Sequence, residues 1–202
     1  MIETSSAKDI WTIRINRPEK ANSLTSDMLE QLIDAVSRAS DAKAMVITGR
    51  GDVFSAGADL NEARSGLATS PLWEKLSQAV AEHRGLTICA LNGTVAGGAF
   101  GMTLACDLRV AVASAAFFYP VVKHGFLPQP SDPKRMEKLI GPARTKLVFV
   151  AGHKINSQTA YDYGLIDMIV EPEQLDPTVQ ALCESVGSAK IETVHAIKAM
   201  CP

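Results

Sequence analysis

Phe54-Ser55-Ala56-Gly57-Ala58-Asp59-Leu60 and Asn92-Gly93-Thr94-Val95-Ala96-Gly97-Gly98 decide how this 202-residue chain is read. Each segment follows an apolar, strand-like run and opens into a helical pattern. At such a junction the first main-chain N–H groups of the helix have no intrahelical acceptor and can be aimed at an anion. Two junctions converging would make an oxyanion hole.

Working outward, residues 10–16 alternate as a strand that ends at Arg17-Pro18. Ser23-Leu24-Thr25 supplies a helix N-cap, and Met28, Leu29, Leu32, Ile33 and Val36 recur at helical spacing to about Ser40. Residues 44–48 form a short buried strand closed by Gly49-Arg50-Gly51. Between the glycine segments, residues 66–71 read as a mobile loop. Trp73, Leu76, Ala79 and Val80 mark a helix, and residues 87–91 a strand. Beyond them come a strand at 107–113, an irregular loop at 128–133, a helix to Leu139 and another over 143–151. A helix from Ser157 to Gly164, a strand at 166–170 and two helical stretches finish the chain. This alternation predicts an α/β fold of sheet layers covered by helices, with no linker and no fixed repeat, so one domain over 1–202.

Composition excludes several classes. With 47% hydrophobic and 21% charged residues the chain is ordinary globular protein, and a net charge of −2 gives no case for nucleic acid or an acidic membrane. Cys89, Cys106, Cys183 and Cys201 have no CxxC or zinc spacing, and the first two read as reduced, buried thiols. The N-terminus lacks a signal-peptide pattern, which makes the cytoplasm the expected compartment. Residues 85–106 carry no charge, with glycines at 93, 97 and 101 spaced like a helix-dimerisation motif. Asn92-Gly93 nevertheless splits the run into a strand and a buried helix, so no membrane span is expected.

Asn16-Arg17-Pro18-Glu19-Lys20-Ala21-Asn22, the two glycine segments and Ala105-Cys106-Asp107-Leu108-Arg109 together resemble the crotonase superfamily, the enoyl-CoA hydratase/isomerase family. Residues 155–166 resemble its later helix and strand. The resemblance implies stacked ββα turns making two roughly perpendicular sheets, assembly as a homotrimer or dimer of trimers, and acyl-CoA thioester substrates. Coenzyme A then belongs to the substrate, with no separate cofactor or metal. Matched residue by residue, the main-chain donors of the oxyanion hole are Ala58 and Gly98, the latter aided by a helix dipole. Lys20 and Ala21 fall near the nucleotide phosphates. The backbone of residues 55–60 (Ser55, Ala56, Gly57 and Leu60 among them) falls near the adenine, with Gly97 also against the thioester. Asp59 reads as a helix cap.

Hydration in that family uses two glutamates, and the matching positions here hold Gly101 and Val121. In some isomerases a glutamate follows the first proline of the next stretch, where this chain has Gln129. The family's glycine-rich run is replaced by Pro128-Gln129-Pro130-Ser131-Asp132-Pro133-Lys134-Arg135. Relocated proton carriers are therefore sought among Tyr119, Lys123, His124 and Asp132, with Asp132 first, as base or nucleophile. Helix capping by Asp132, surface exposure of His124 and wall-filling by Tyr119 stay open beside that role. Relatives also continue past the helix at 191–200 with helices that cover the acyl pocket. Two functions follow: a fatty-acid-type lyase or isomerase that stabilises a thioester enolate without standard hydration, or a catalytically degenerate acyl-CoA-binding protein.

Overall fold

The computed structural model describes residues 1–201. An antiparallel hairpin of β1 (Ile2–Ala7) and β2 (Ile10–Ile15) leads into α1 (Ser26–Arg38). Its N-cap is Thr25, whose side chain accepts from the Met28 N–H. Of the apolar stripe read in the sequence, Met28, Leu29, Leu32 and Val36 are buried together with Ala35, while Ile33 is half-buried at the edge of that face.

Three successive strand–strand–helix units then build two sheets at once. They run through β3 (Ala44–Gly49), β4 (Val53–Ser55), α2 (Leu60–Arg64) and α3 (Leu72–Ala81). Next come β5 (Leu86–Leu91), β6 (Thr94–Ala96) and α4 (Phe100–Ala105). The third unit is β7 (Leu108–Val112), β8 (Ala116–Phe118), α5 (Val121–His124) and α6 (Asp132–Phe149). The chain ends through β9 (Ile155–Asn156), α7 (Ser157–Tyr163), β10 (Met168–Val170), α8 (Leu175–Gly187) and α9 (Ile191–Met200). The large sheet has the order β1-β2-β3-β5-β7-β10 and the small sheet β4-β6-β8-β9. Each unit's first strand joins the large sheet in parallel, and its second joins the small one.

Burial explains the composition. All six residues of β3 are buried, as the continuous apolar run predicts for a strand covered on both faces. Asn22 and Asn92 clamp the turn between the sheets. Asn22 Nδ2 donates to the carbonyls of Arg50 and Val53, while Asn92 Oδ1 accepts from the Gly49 N–H and its Nδ2 donates to the Gly51 carbonyl. Arg109, 3% exposed, donates to the carbonyls of Cys106 and Leu165 and pairs with Asp167, tying β7 to the approach to β10.

The structure departs from the sequence reading at several elements, β1 and α5 among them. Residues 66–71 are not an open loop: Leu67–Thr69 form a 3-10 turn, Leu67 is buried, and its carbonyl accepts the Trp73 indole N–H at 2.8 Å. The strands of the small sheet span two or three residues each, too short for alternation to register. In α6, Gly141 at φ 78° and ψ 166° breaks the helix ahead of Pro142, which separates the two helices expected on either side of it. Among the described residues no helix is long and apolar enough to cross a membrane.

Candidate active site

The glycine segments meet. The Leu24 N–H donates to the Gly57 carbonyl at 2.7 Å and the Asp59 N–H to the Leu24 carbonyl at 2.8 Å, a parallel bridge between Leu24 and Ala58. Because successive N–H groups of an extended chain point to opposite sides, Ala58 turns its own N–H away from Leu24. Gly57 has φ +86°, and a Cβ there would lie 2.7 Å from the Ala96 carbonyl oxygen. A Cβ on Gly97, at φ +54°, would lie 3.9 Å from Gly57 Cα. Main chain therefore packs on main chain, with room for no side chain at Gly57.

Gly98 is in the 3-10 turn Gly97–Ala99 that precedes α4, where its N–H has no intrahelical acceptor. The indole of Trp73 lies flat against it, since a Cβ on Gly98 would sit 2.8 Å from two indole carbons. α4 itself has six residues, so polarisation at this end comes from the N–H groups at hand more than from a long helix dipole.

Beside this turn is a buried acid. Asp132 is fully buried, and its carboxyl projects toward Gly101: a Cβ there would meet Asp132 Oδ1 at 3.3 Å and Ser77 Cβ at 3.3 Å. Gly101 is three residues beyond Gly98 on the same face, about 4.5 Å along a helix axis. Asp132 Oδ2 accepts the Tyr119 hydroxyl at 2.8 Å, while Oδ1 has no partner. Burial pushes the Asp132 carboxyl up from 3.8 to about 7, against the lowering effect of the Tyr119 hydrogen bond and of Arg135; Glu74 adds to the rise. Burial also drives the Tyr119 phenol upward, reinforced by the Asp132 charge. The Tyr119 ring is held between Phe100 and Phe149, with centroids 5.4 and 4.8 Å away. Asp132 is the first residue of α6, and the N-cap position belongs to Ser131, so Asp132 is not the cap.

The other predicted residues divide. Ser55 is buried, and its hydroxyl donates to the Asn22 carbonyl and accepts the Gly57 N–H, so its side chain latches the turn. Ala56, exposed, donates its N–H to the Ala21 carbonyl, which brings Ala21 and the exposed Lys20 beside the first glycine segment. Leu60 is 76% exposed at the start of α2. Asp59 caps α2 through the Asn61 N–H and pairs with Arg17 at 2.9 Å, whose guanidinium holds its carboxyl below the usual range. His124 and Lys123 do not join the site: both are exposed at the last turn of α5, with no hydrogen bond to Asp132 or Tyr119.

Sequence reasoning missed Trp73, Glu74, Ser77 and Arg135. The Glu74 carboxylate accepts both the N–H and the hydroxyl of Ser131, and Arg135 donates to the Ser77 hydroxyl, which in turn donates to the Gly101 carbonyl at 3.2 Å. A polar residue at position 77, between the apolar positions 73, 76 and 80 of one helix face, was the available signal. Past Tyr119 lies an open apolar groove of about 480 Å³ between α5 and α6, lined by Val121, Val122, Phe126, Leu127, Phe149 and Val150 among others.

A layered pair of sheets with two glycine turns locked main chain to main chain defines the crotonase-like class of α/β proteins. The family model for enoyl-CoA hydratase/isomerase matches residues 5–201, and the chain belongs to that family. It is 32% identical over 194 residues to the crotonyl-CoA hydratase of Syntrophomonas wolfei, covering 92% of this chain and 75% of the relative. It is 28% identical over 193 residues to the 1,2-epoxyphenylacetyl-CoA isomerase of Escherichia coli, covering 90% and 74%. Among solved structures, an enoyl-CoA hydratase from Bacillus anthracis superposes with a TM-score of 0.90 at 27% identity, covering 98% of this chain and 81% of that one.

Proposed function

We propose that this chain processes acyl-CoA thioesters through an enolate or related oxyanion, by a reaction other than standard hydration. The Ala58 and Gly98 N–H groups hold the thioester oxygen as negative charge develops there. Such donors are neutral, rigid and already oriented, and losing one costs about 10²–10³ in kcat. Asp132 carries the proton. As carboxylate it takes a proton from the carbon next to the thioester; the electron pair moves onto the oxygen held by the two N–H groups. The resulting carboxylic acid then returns the proton to carbon.

The observation that carries this reading is the Asp132 carboxyl beside Gly101, one turn from Gly98, with one oxygen unpartnered. An acid whose pKa of about 7 stands near working pH is suited to giving and taking a proton. A single carboxyl suffices to move a proton between two carbons, as in double-bond isomerisation, or to protonate the enolate left by decarboxylation. Hydration asks for a second group to activate water, and apolar Val121 offers none. Lys20 is suited to the nucleotide phosphates as a point charge, and the main chain of residues 55–60 to the adenine. The family argues for a homotrimer or dimer of trimers.

A second reading, an acyl-CoA-binding protein without turnover, is favoured by the complete burial of Asp132. A panel of enoyl-, malonyl-type and β-keto acyl-CoAs, assayed with wild type and Asp132→Asn, separates the two. Turnover that disappears in the variant supports the first; binding of the thioesters with no turnover of any supports the second.

A further inference from the structure

Glu74 belongs to neither glycine segment, yet it reaches the loop that delivers Asp132. Ser131, immediately before Asp132, gives both of its polar hydrogens to the Glu74 carboxylate: the main-chain N–H to Oε2 at 3.2 Å and the hydroxyl to Oε1. The Ser131 hydroxyl consequently makes no capping bond to its own helix. On the other side of Asp132, Arg135 is anchored on Ser77, one turn further along α3. The same turn of α3 carries Trp73, which backs Gly98. One helix thus touches the polarising turn and both residues that flank the acid.

We infer that Glu74 is a positioning residue, which fixes the Asp132 carboxyl by gripping Ser131 and places a second carboxylate on the same side of the loop. This inference rests on Asp132 being the proton carrier. Among the described residues the titratable and charged groups facing Asp132 are Tyr119 from the end of β8, Glu74 from α3 and Arg135 from α6 itself. α4 contributes only Gly101 there. Glu74 and Arg135 oppose one another: the first disfavours the carboxylate and the second favours it.

The two duties separate by substitution. Glu74→Gln keeps an acceptor for Ser131 and removes the charge, so Asp132 ionises at lower pH and the acidic limb of the rate profile moves to lower pH. Glu74→Ala also frees Ser131, and misplacement of the acid lowers kcat by about 10²-fold. Ser131→Ala keeps the charge and the main-chain bond, and leaves the limb where it was.

The test is an infrared titration of the protonated-carboxyl C=O band from about pH 5 to 9, with Asp132→Asn identifying the band. It reads protonation without needing turnover. The expected result is a midpoint at lower pH in Glu74→Gln and an unmoved midpoint in Ser131→Ala. A midpoint that Glu74→Gln leaves unchanged overturns the role of Glu74 while leaving Asp132 in place. If Asp132→Asn removes no titrating band from the wild-type spectrum, the proton-carrier reading itself fails, and the inference with it.

Discussion

Replacing Asp132 by asparagine should stabilise the protein at neutral pH and above, by an amount that builds up on the acid side of about pH 7 and then levels off. The Asp132 carboxyl moves from 3.8 to about 7 on folding. The folded state therefore holds a proton there that the unfolded chain has lost. A group whose pKa is raised by folding contributes its stability below the unfolded value and loses it as pH rises through the folded value. Between about pH 4 and 7 the wild type should lose up to about 1.4 kcal/mol per pH unit from this group, and the loss should level off above 7. The full interval corresponds to about 4 kcal/mol, of which about 2–3 kcal/mol falls between pH 5 and 8. Asparagine has no such dependence. Its Oδ1 can still accept the Tyr119 hydroxyl, but its amide N–H faces the space above Gly101 unpaired, at a cost of about 1–3 kcal/mol at every pH. The stability difference, variant minus wild type, should thus start near or below zero at pH 5 and climb by about 2–3 kcal/mol by pH 8. Urea unfolding of both proteins at several pH values measures it, and the other titrating groups cancel in the difference. A difference flat with pH would refute the reasoning, because it would mean that Asp132 ionises in the folded state as freely as in the unfolded one.

Three further outcomes follow from the same geometry. Gly98→Ala drives a methyl to within 2.8 Å of the Trp73 indole, which is 2% exposed and pinned through its N–H to Leu67. Overpacking of about 1–3 kcal/mol and, through displacement of the main-chain N–H, a kcat lower by about 10² should appear in thermal melts and turnover, and wild-type values for both would contradict the account. Tyr119→Phe removes the hydrogen bond that holds the Asp132 pKa down, so the acidic limb of the pH–rate profile should move to higher pH, opposite in direction to Glu74→Gln. Gly101→Glu places its Cβ 3.3 Å from Asp132 Oδ1 and sets a second carboxyl against the first. It should lower the melting temperature without conferring hydration of crotonyl-CoA, and a hydratase gained by this change would show that the site keeps the usual arrangement.

How far the sequence reached is set by the range of the forces involved. The buried face of α1 and the run of β3 are local patterns of apolar spacing, and they read directly. Gly57 and Gly97 also read directly, since each sits at a backbone angle that few other residues tolerate. The short strands β4, β6, β8 and β9 take their form from neighbours distant in the chain, so two or three residues of each carry no period of their own. Asp132 was legible as a candidate because it stands where the glycine-rich run is replaced. Its ionisation was not legible, because it depends first on burial by the folded chain and then on Tyr119 and Glu74 arriving from separate elements. His124 shows the converse: its chemistry suits proton transfer, but α5 turns it to solvent. Glu74 has no sequence signal at all, since its two bonds to Ser131, 57 residues away, exist only in the fold.

The central claim is that Ala58, Gly98 and Asp132 together move a proton at the carbon beside a thioester. Proton NMR of an acyl-CoA in D₂O tests it most directly, by following exchange of the α-hydrogens with and without protein. The account predicts exchange catalysed by the wild type and slowed by about 10²–10⁴ in Asp132→Asn, with the thioester still bound. Exchange that proceeds equally in the variant, or a wild type that binds the thioester and leaves its α-hydrogens untouched, would contradict it.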